Sequence, residues 1–278
     1  MYINIKGHLQ DLSAPQVMGI LNITPDSFYA ESRKQSEAAI ILRGKQILEE
    51  GAGIIDVGAY SSRPGAVYVS EAEEMSRLEH GLRILFREYP DAIVSVDTFR
   101  AAIARRCVEE YGVAIINDIA AGTLDDKMFQ TVADLHVPYI IMHMRGTPQT
   151  MMQLTEYEDF RQEIFSYFSE KIARLNQLGV HDIILDPGFG FSKNLEQNYE
   201  LMKMLADFRI FDLPLLVGIS RKKMIRDVLD CQTEESLNGT TILNVYSLLN
   251  GAHILRVHDV KEAVQAVKLI EKIKNSPI

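Results

Sequence analysis

The sequence predicts an α/β protein folded as a (β/α)₈ TIM barrel, and three observations indicate this fold. Short apolar runs rich in β-formers recur along the chain, and longer stretches of helical periodicity separate them. No Gly/Ser-rich linker, low-complexity tract or block of charge interrupts the 278 residues. Because parallel strands are usually joined by helical crossovers, the alternation indicates a parallel sheet. Eight such units fit a closed barrel better than an open sheet, and we expect a single domain over residues 1–278.

The predicted elements follow in order along the chain. Residues 1–16 precede the first repeat, and we interpret them as a short hairpin that closes the bottom of the barrel. The eight predicted strands are the apolar runs at 17–21, 54–57, 93–96, 113–116, 138–142, 182–185, 215–219 and 252–257. Helical periodicity is clearest at 37–50, 72–88, 101–110, 157–178 and 238–249.

Composition argues against several classes of protein. A hydrophobic content of 47% is enough to bury a large core. No run of about eighteen apolar residues occurs, and the N-terminus lacks a signal-peptide pattern, so we expect a cytoplasmic protein without membrane insertion. The formal charge of −9 argues against broad nucleic-acid binding. Cys107 and Cys231 lie far apart in predicted helices, which favours packing roles over a disulfide or a thiolate metal site.

Polar side chains lie at or just after the end of every predicted strand. In a barrel of this kind the active site is built at the carboxyl ends of the strands. Any single one of these residues is also typical of a turn or a helix cap, but all eight strands end this way. We therefore expect a ligand at the barrel mouth, facing Asn22, Asp56, Asp97, Asn117, His143, Asp186, Ser220 and Arg256 with His258.

Three of these side chains form a chemically coherent group. Asp97, Asn117 and Asp186 are two carboxylates and an amide directed at the barrel mouth. Such a set is suited to a planar heterocycle that presents adjacent N–H donors and ring acceptors. A carboxylate accepts two parallel N–H bonds from an amidine-like edge.

A second group is suited to an anion. Its members are Arg63 in "SSRPGA", Lys222 in "SRKK", and Arg256 with His258 in "RVHDVKEA". Asp259 followed by Glu262 is typical of a helix start, which places His258 at a helix N-terminus after the last strand. Barrels often bind phosphate there, through free backbone N–H groups. The alternative for Arg256 is a structural salt bridge inside the barrel.

The sequence favours magnesium over zinc as the metal. The seven histidines are scattered without the paired spacing of a zinc site. An amide such as that of Asn22, together with a bound pyrophosphate, suits magnesium, which takes oxygen ligands and keeps several waters.

Eight motifs, taken together, resemble one family. They are "MGILNITPDSF", "DVGAYSSRPGA", "SVDTFR", "INDIAAG", "MHMRGTPQTM", "DPGFGFSK", "GISRK" and "RVHDV", in that order. The same order is found in dihydropteroate synthases, and the resemblance covers nearly the whole chain. It implies a barrel that joins 6-hydroxymethyl-7,8-dihydropterin pyrophosphate to p-aminobenzoate in folate synthesis. It also implies a magnesium-dependent homodimer that is a target of sulfonamides.

The resemblance assigns roles to matching positions. The pterin pocket falls on Asp97, Asn117, Asp186, Lys222 and Arg256. The pyrophosphate site falls on Asn22, Arg63, Arg256 and His258, with Asn22 also implied as the magnesium ligand. The second loop, which in the family closes over p-aminobenzoate, matches Ser61, Ser62, Arg63 and Pro64, with Phe189 as an aromatic wall. The residues implied in catalysis are Arg63, Asp97, Lys222, Arg256 and His258.

Four positions, in three segments, depart from the family pattern. Ala30 stands where the first loop commonly has aspartate, with Glu31 beside it. Tyr60 and Ser62 stand where glutamate and threonine are commoner. Lys223 stands where a serine is common near the carboxylate of p-aminobenzoate, and we predict that its ammonium binds that carboxylate. The alternative is a solvated lysine in the first turn of a helix.

The implied mechanism needs little covalent help from the protein. The dihydropterin stabilises a methylene cation as the bond to pyrophosphate breaks, so the main demand is to stabilise the leaving anion. Two alternatives have the same pterin pocket. Methyltetrahydrofolate:corrinoid methyltransferases need no pyrophosphate site, so "SSRPG" and "RVHD" favour the synthase. A non-catalytic pterin-binding paralogue is the other alternative, because of the altered first loop.

Overall fold

Eight parallel strands surround a central axis, as predicted. The computed structural model describes residues 1–23, 33–61 and 66–277. The strands are β1 (Tyr2–Ile5), β2 (His8–Asp11), β3 (Gln16–Asn22), β4 (Ile54–Gly58), β5 (Val94–Asp97), β6 (Ile115–Asp118), β7 (Tyr139–Met142), β8 (Ile183–Asp186), β9 (Leu216–Val217) and β10 (Ile254–Val257). The larger sheet has the order β8-β7-β6-β5-β4-β3-β10-β9, and a parallel bridge between Leu185 and Leu215 joins its two edges. The (β/α)₈ barrel is confirmed.

Helices follow the barrel strands and pack outside them. In the described ranges they are α1 (Arg33–Glu49), α2 (Glu71–Glu88), α3 (Ala101–Tyr111), α4 (Met128–Leu135), α5 (Phe160–Gln177), α6 (Leu195–Lys203), α7 (Lys223–Leu229), α8 (Leu237–Leu249) and α9 (Val260–Lys274). The predicted stretch 157–178 starts three residues too early, because the Asp159 side chain caps α5 by accepting from the Gln162 N–H at 2.9 Å. Strand β9 is shorter than predicted because a turn, closed by the Lys222 N–H on the Ile219 carbonyl, follows it.

The N-terminal hairpin closes the bottom of the barrel, as predicted. Strands β1 and β2 pair antiparallel across a turn at Lys6 and Gly7, both of which have positive φ. Three hairpin side chains pack against the first inward-facing residue of most barrel strands. This bottom layer consists of Ile3, Ile5 and Leu12 of the N-terminal segment with Met18, Ile54, Ile115, Ile140, Ile184, Leu216 and Ile254 of the barrel.

The strand period of two places the polar residues above this apolar layer. Side chains two residues apart on a strand point to the same face, so the residue two positions after each bottom-layer residue also faces inward. Those positions hold Asp56, Asn117, Asp186 and Arg256 on β4, β6, β8 and β10. The alternate residues, such as Val57 and Val96, belong to the large core between barrel and helices. The barrel interior is therefore apolar at the bottom and polar at the mouth.

Two further features concern membranes and thiols. No helix within the described ranges is long and apolar enough to cross a membrane. Cys107 and Cys231 are both free thiols, and burial raises the pKa of Cys107 to about 12.

Candidate active site

Arg256 is the centre of the polar network at the barrel mouth. Its Nε donates to Oδ2 of Asp56 at 2.6 Å, and a terminal guanidinium nitrogen donates to Oδ2 of Asp97 at 2.9 Å. Nδ2 of Asn117 also donates to Oδ2 of Asp56, at 3.1 Å. Arg256 therefore forms a salt bridge inside the barrel, as the alternative interpretation of this residue expected. It does not compete with the predicted pterin role, because one of the two carboxylates is itself a predicted ligand.

Asp186 faces the same space from the opposite side. Its Oδ1 accepts the Gly188 N–H at 2.8 Å, which fixes the carboxylate at the end of β8. A Cβ atom built on Gly218 would lie 3.9 Å from Oδ2 of Asp186 and 3.8 Å from Cβ of Arg256. Gly218 therefore lies between this carboxylate and the aliphatic part of the Arg256 side chain.

Lys222 lies at the N-cap position of α7 and reaches back over the mouth. Its Nζ donates to the Phe189 carbonyl and lies 4.7 Å from the centre of the Phe191 ring. Burial lowers the pKa of Lys222 to about 8, although the nearby Asp186 carboxylate opposes the shift. The loop after β8 therefore provides both contacts of this ammonium.

Burial also sets the charges of the carboxylates. It raises the pKa of Asp97 to about 7, with the Arg256 guanidinium opposing the shift and Asp56 adding to it. Burial likewise raises the pKa of Asp186, and Lys222 partly offsets that effect. For Arg256 the balance is reversed: burial lowers the pKa, but Asp56 and Asp97 outweigh it, so the net pKa is raised. Arg256 remains the permanent cation of the site.

Asn22 and His258 flank this network at the neighbouring strand ends. Oδ1 of Asn22 lies 3.3 Å from the position of a Cβ on Gly58, and that position is 4.0 Å from Oδ2 of Asp97. The His258 N–H donates to Oγ of Ser220 at 3.1 Å, and its carbonyl accepts from Arg43 at 2.6 Å. Burial and the Arg256 charge lower the pKa of His258 to about 4. Its imidazole is therefore a neutral hydrogen-bonding group at pH 7, not a cation.

A helix starts after His258, as predicted, but its first turn is not capped by the side chain of Asp259. Helix α9 begins at Val260, and the Asp259 side chain forms no capping hydrogen bond. Both Asp259 oxygens instead accept from Arg221, at 2.7 and 2.8 Å. A bidentate ion pair replaces the local cap, because Arg221 approaches from the turn before α7.

Of the residues predicted to bind p-aminobenzoate, the structure describes Phe189 and Lys223. Phe189 is fully buried, whereas the Lys223 side chain is 77% exposed and its ammonium lies 3.5 Å from Asp227 one helical turn away. Within the described ranges, the charged partner of Lys223 is thus a helix neighbour. Ser62, Arg63 and Pro64 lie outside the described residues, as do Ala30 and Glu31 of the first loop. Their assigned roles stay predictions.

Asp56 and His143 were expected to face a ligand but were given no specific function, and Lys193 was not predicted. Asp56 is fully buried and accepts from both Arg256 and Asn117. Its place on the inward face, two residues after Ile54, is the signal that identifies it. His143 and Lys193 form a second buried polar pair behind the mouth, with Nζ of Lys193 at 2.9 Å from Nδ1 of His143.

The residues present fit a magnesium ion held mainly by substrate. No group of three or more His, Cys, Asp or Glu side chains in the described part of the chain is arranged to hold a metal ion. Asn22 supplies one amide oxygen beside the polar network. Magnesium usually keeps several waters and binds through one or two protein ligands plus substrate phosphates, and the Asn22 amide oxygen is compatible with such coordination.

The class of protein follows from this barrel and from a match to a known family. The sequence model of the family described as "Pterin binding enzyme" matches residues 18–258, so the chain is a pterin-binding barrel enzyme. Within that class, the dihydropteroate synthase of Escherichia coli (strain K12) is 41% identical over 273 residues, covering 98% of this chain and 96% of the relative. The chain belongs to the dihydropteroate synthases, which are transferases.

Two solved structures support the assignment. A Yersinia pestis dihydropteroate synthase in complex with a sulfonamide drug has a TM-score of 0.90 and 38% identity, covering 99% of this chain and 100% of that one. A Xanthomonas albilineans dihydropteroate synthase with 4-aminobenzoic acid has a TM-score of 0.89 and 31% identity, covering 99% of both chains. The predicted family, fold and enzyme class are confirmed, and the synthase is favoured over the corrinoid methyltransferase.

Proposed function

We propose that the network around Arg256 binds 6-hydroxymethyl-7,8-dihydropterin pyrophosphate and joins it to p-aminobenzoate, giving 7,8-dihydropteroate and pyrophosphate. The observation that carries this proposal is the close grouping of Asp186, Arg256 and Lys222: a Cβ on Gly218 would lie within 4 Å of both Asp186 and Arg256, and the Asp186 charge opposes the lowering of the Lys222 pKa. This part of the barrel mouth combines carboxylates, which can bind the edge of a ring, with two cations, Arg256 and Lys222. The 4-aminobenzoic acid in the Xanthomonas albilineans relative supports the second substrate.

The pterin ring is recognised by groups with complementary hydrogen bonds. Asp186 has one oxygen fixed by the Gly188 N–H, which leaves the other to accept from ring N–H groups. Asp97 and Asn117 act on the remaining ring edge. Arg256 lies between the two carboxylates and packs against the ring, and Lys222 donates from the other side. The ring is thereby held with its methylene substituent toward Asn22 and His258.

Bond cleavage leaves electrons on pyrophosphate and positive charge on the methylene carbon. Arg256, the neutral His258 and Asn22 stabilise the leaving anion, together with Arg63, whose role rests on the motif alone. Magnesium, when bound at Asn22 with the pyrophosphate, neutralises part of that charge. The amine nitrogen of p-aminobenzoate then bonds to the methylene carbon and loses a proton. Asp97 and Asp186 favour the developing positive charge on the ring.

We propose the p-aminobenzoate site from the resemblance of the sequence motifs to those of the family. Phe189 forms its wall, Ser62 and Pro64 its cover, and Lys223 the contact to its carboxylate. Because the Lys223 ammonium is exposed, its attraction to that carboxylate is modest and screened by salt.

A homodimer is part of the proposal, and an apolar surface on α7 and α8 supports it. Ile242, Tyr246 and Leu249 lie on one face of α8, and Val228 and Leu229 on α7 are also exposed. The two helices pack closely, because a Cβ on Gly239 would lie 2.8 Å from the Leu229 side chain. A contiguous exposed apolar face of this kind marks an association surface, here for a second copy of the chain.

The dimer is tested by charging this face. Ile242→Glu and Leu249→Glu should each convert the protein to a monomer in sedimentation experiments. Leu42→Glu, at an equally exposed leucine on α1, is the matched control and should leave the mass unchanged. A monomeric unsubstituted protein would contradict the proposal.

Two further properties accompany the proposed reaction. We propose sulfonamide inhibition by competition with p-aminobenzoate, supported by the sulfonamide complex of the Yersinia pestis relative. We also propose a cytoplasmic location, which the two free thiols support. Inhibition is tested by whether added p-aminobenzoate relieves it.

The reaction itself is tested by pyrophosphate release. The protein is mixed with the pterin pyrophosphate and magnesium, with and without p-aminobenzoate, and pyrophosphate and dihydropteroate are measured. Stoichiometric formation of both, only when p-aminobenzoate is present, is the expected result. A corrinoid methyl-transfer assay on the same preparation is the control. Pterin binding without turnover would instead assign the chain to the non-catalytic alternative.

A further inference from the structure

Lys193 is a fully buried lysine behind the barrel mouth. It lies just before α6 and is 1% exposed. Its Nζ contacts the Gly188 carbonyl at 2.9 Å, the Phe191 carbonyl at 3.0 Å, Nδ1 of His143 at 2.9 Å and the His143 carbonyl at 3.5 Å. Among the described residues it has no carboxylate within ion-pair distance. Burying an amine without a counter-ion is costly, so these contacts indicate a specific role.

Residues 187–193, here called the lysine loop, wrap around this amine. Gly188, Gly190 and Ser192 all have positive φ, and the resulting turns direct carbonyls inward to Nζ. The loop is also joined to the end of β7. A Cβ on Gly188 would lie 2.2 Å from the His143 carbonyl oxygen, and Oγ of Ser192 accepts the Arg145 N–H at 2.8 Å.

The outer side of the same loop contacts the pterin-binding residues. The Gly188 N–H orients Asp186, the Phe189 carbonyl accepts from Lys222, and the Phe191 ring lies under the Lys222 ammonium. Lys193 therefore holds two carbonyls of a loop whose N–H, carbonyl and ring hold Asp186 and Lys222.

We propose that Lys193 and His143 are a positioning pair, which fixes the lysine loop so that Asp186 and Lys222 are set for pterin binding. This inference rests on the proposed pterin site. Neither residue touches the substrate, so both act through the loop. Burial lowers the pKa of His143, which keeps the imidazole neutral and leaves Nδ1 free to accept from the amine. Because Lys193 holds the lysine loop in place, the contacts of the loop with Asp186 and Lys222 need no reorganisation when the pterin binds.

Lys193→Met tests the pair, because methionine has a similar length and no donors. We expect the dissociation constant for the pterin pyrophosphate, measured by calorimetry without p-aminobenzoate, to rise at least about tenfold. Lys203→Met, at an exposed lysine on α6, is the matched control and should leave this constant unchanged. Pterin affinity of folded Lys193→Met equal to that of the unsubstituted protein would overturn the proposal.

A purely structural lysine would lower stability without acting through Lys222, and a double-mutant cycle separates the two cases. The Lys193→Met effect on pterin affinity should be much smaller in a Lys222→Met background, because the contact through which it acts is absent. Full additivity of the two effects would contradict the proposal.

The His143 variants keep the proposal testable if Lys193→Met does not fold. His143→Leu removes the acceptor and should weaken pterin binding, whereas His143→Asn retains an oxygen near the position of Nδ1 and should restore most of the affinity. Equal pterin affinities of the two variants would overturn the proposal that His143 and Lys193 act as a pair. All readouts are binding constants, so failure of pyrophosphate release in the unsubstituted protein would reject the proposed function and leave this inference to be decided separately.

Discussion

Nε of Arg256, on the last strand of the barrel, donates at 2.6 Å to Oδ2 of Asp56, which lies two hundred residues earlier in the chain and is completely buried. The same guanidinium also donates to Asp97, a predicted pterin ligand. Asp56 is therefore the fixed partner that holds Arg256, and Asp97 is the partner that we propose is shared with substrate. Oδ1 of Asp56 is buried and has no hydrogen-bond partner among the described residues.

Asp56→Asn should disrupt this arrangement. The amide is neutral and brings two N–H donors into a buried place beside Arg256 and Asn117, which already donate there. We expect the free energy of unfolding to fall by about 1–3 kcal/mol and pterin affinity to fall at least about tenfold. Urea unfolding and calorimetry measure the two effects. The control is Asp207→Asn, which breaks an exposed pair with Arg161 and should cost less than about 1 kcal/mol. Equal effects of the two substitutions would contradict the role of Asp56.

Asp186→Asn should weaken pterin binding without unfolding the protein. The amide oxygen can keep the Gly188 N–H bond, but Nδ2 then replaces Oδ2, the oxygen beside Gly218. A donor there meets the donors of the ring, and such a mismatch costs about 1–3 kcal/mol, more when a charge is lost. Circular dichroism should show a native fold. Calorimetry that gives unchanged affinity in the folded variant would refute the assignment.

His258 makes stability depend on acid pH. Its pKa is about 4 in the folded protein against 6.5 for the free side chain, so below pH 6.5 the unfolded state binds more protons than the folded state. The free energy of unfolding should therefore fall between pH 6.5 and 4, by up to about 3 kcal/mol from this group. The raised pKa of Asp97, about 7, acts in the opposite direction over nearly the same window.

A comparison of variants separates the contribution of His258 to the pH dependence of stability from that of Asp97. In urea unfolding from pH 4.5 to 7, His258→Gln should lose less stability on acidification than the unsubstituted protein. His80→Gln, at an exposed histidine on α2, should follow the unsubstituted protein. Parallel curves for His258→Gln and the unsubstituted protein would show that burial of this imidazole has no such effect.

Lys223→Ser tests the predicted contact with p-aminobenzoate. The ammonium is exposed and paired with Asp227, so any attraction to the substrate carboxylate is weak and salt-dependent. We expect the KM for p-aminobenzoate to rise a few-fold at low ionic strength, the pterin KM to stay the same, and the effect to disappear as salt is added. A KM that does not move at low salt would leave Lys223 with its ion pair to Asp227 alone.

The fold and the place of the site could be predicted from local patterns. Apolar runs separated by helical periodicity identify the barrel, because each unit must bury its own apolar face in the same layered way. Strand ends shift by a residue or two, as at Asp97 and Asp186, because hydrogen bonds and not hydropathy determine where a strand stops. The motifs that identify the family are also local, and they assigned Asp97, Asn117 and Asp186 to one group.

By itself the sequence determined the barrel, the family and the side chains that line the mouth, since periodicity and motif order are properties of neighbouring residues. Only the tertiary structure decided which groups these side chains pair with. Arg256 on β10 pairs with Asp56 on β4, on the other side of β3, and Asp259 pairs with Arg221 instead of capping α9. Lys193 binds loop carbonyls and His143. These choices depend on distances between atoms on different strands and loops, which only the closed barrel fixes, and burial there then sets each group's charge.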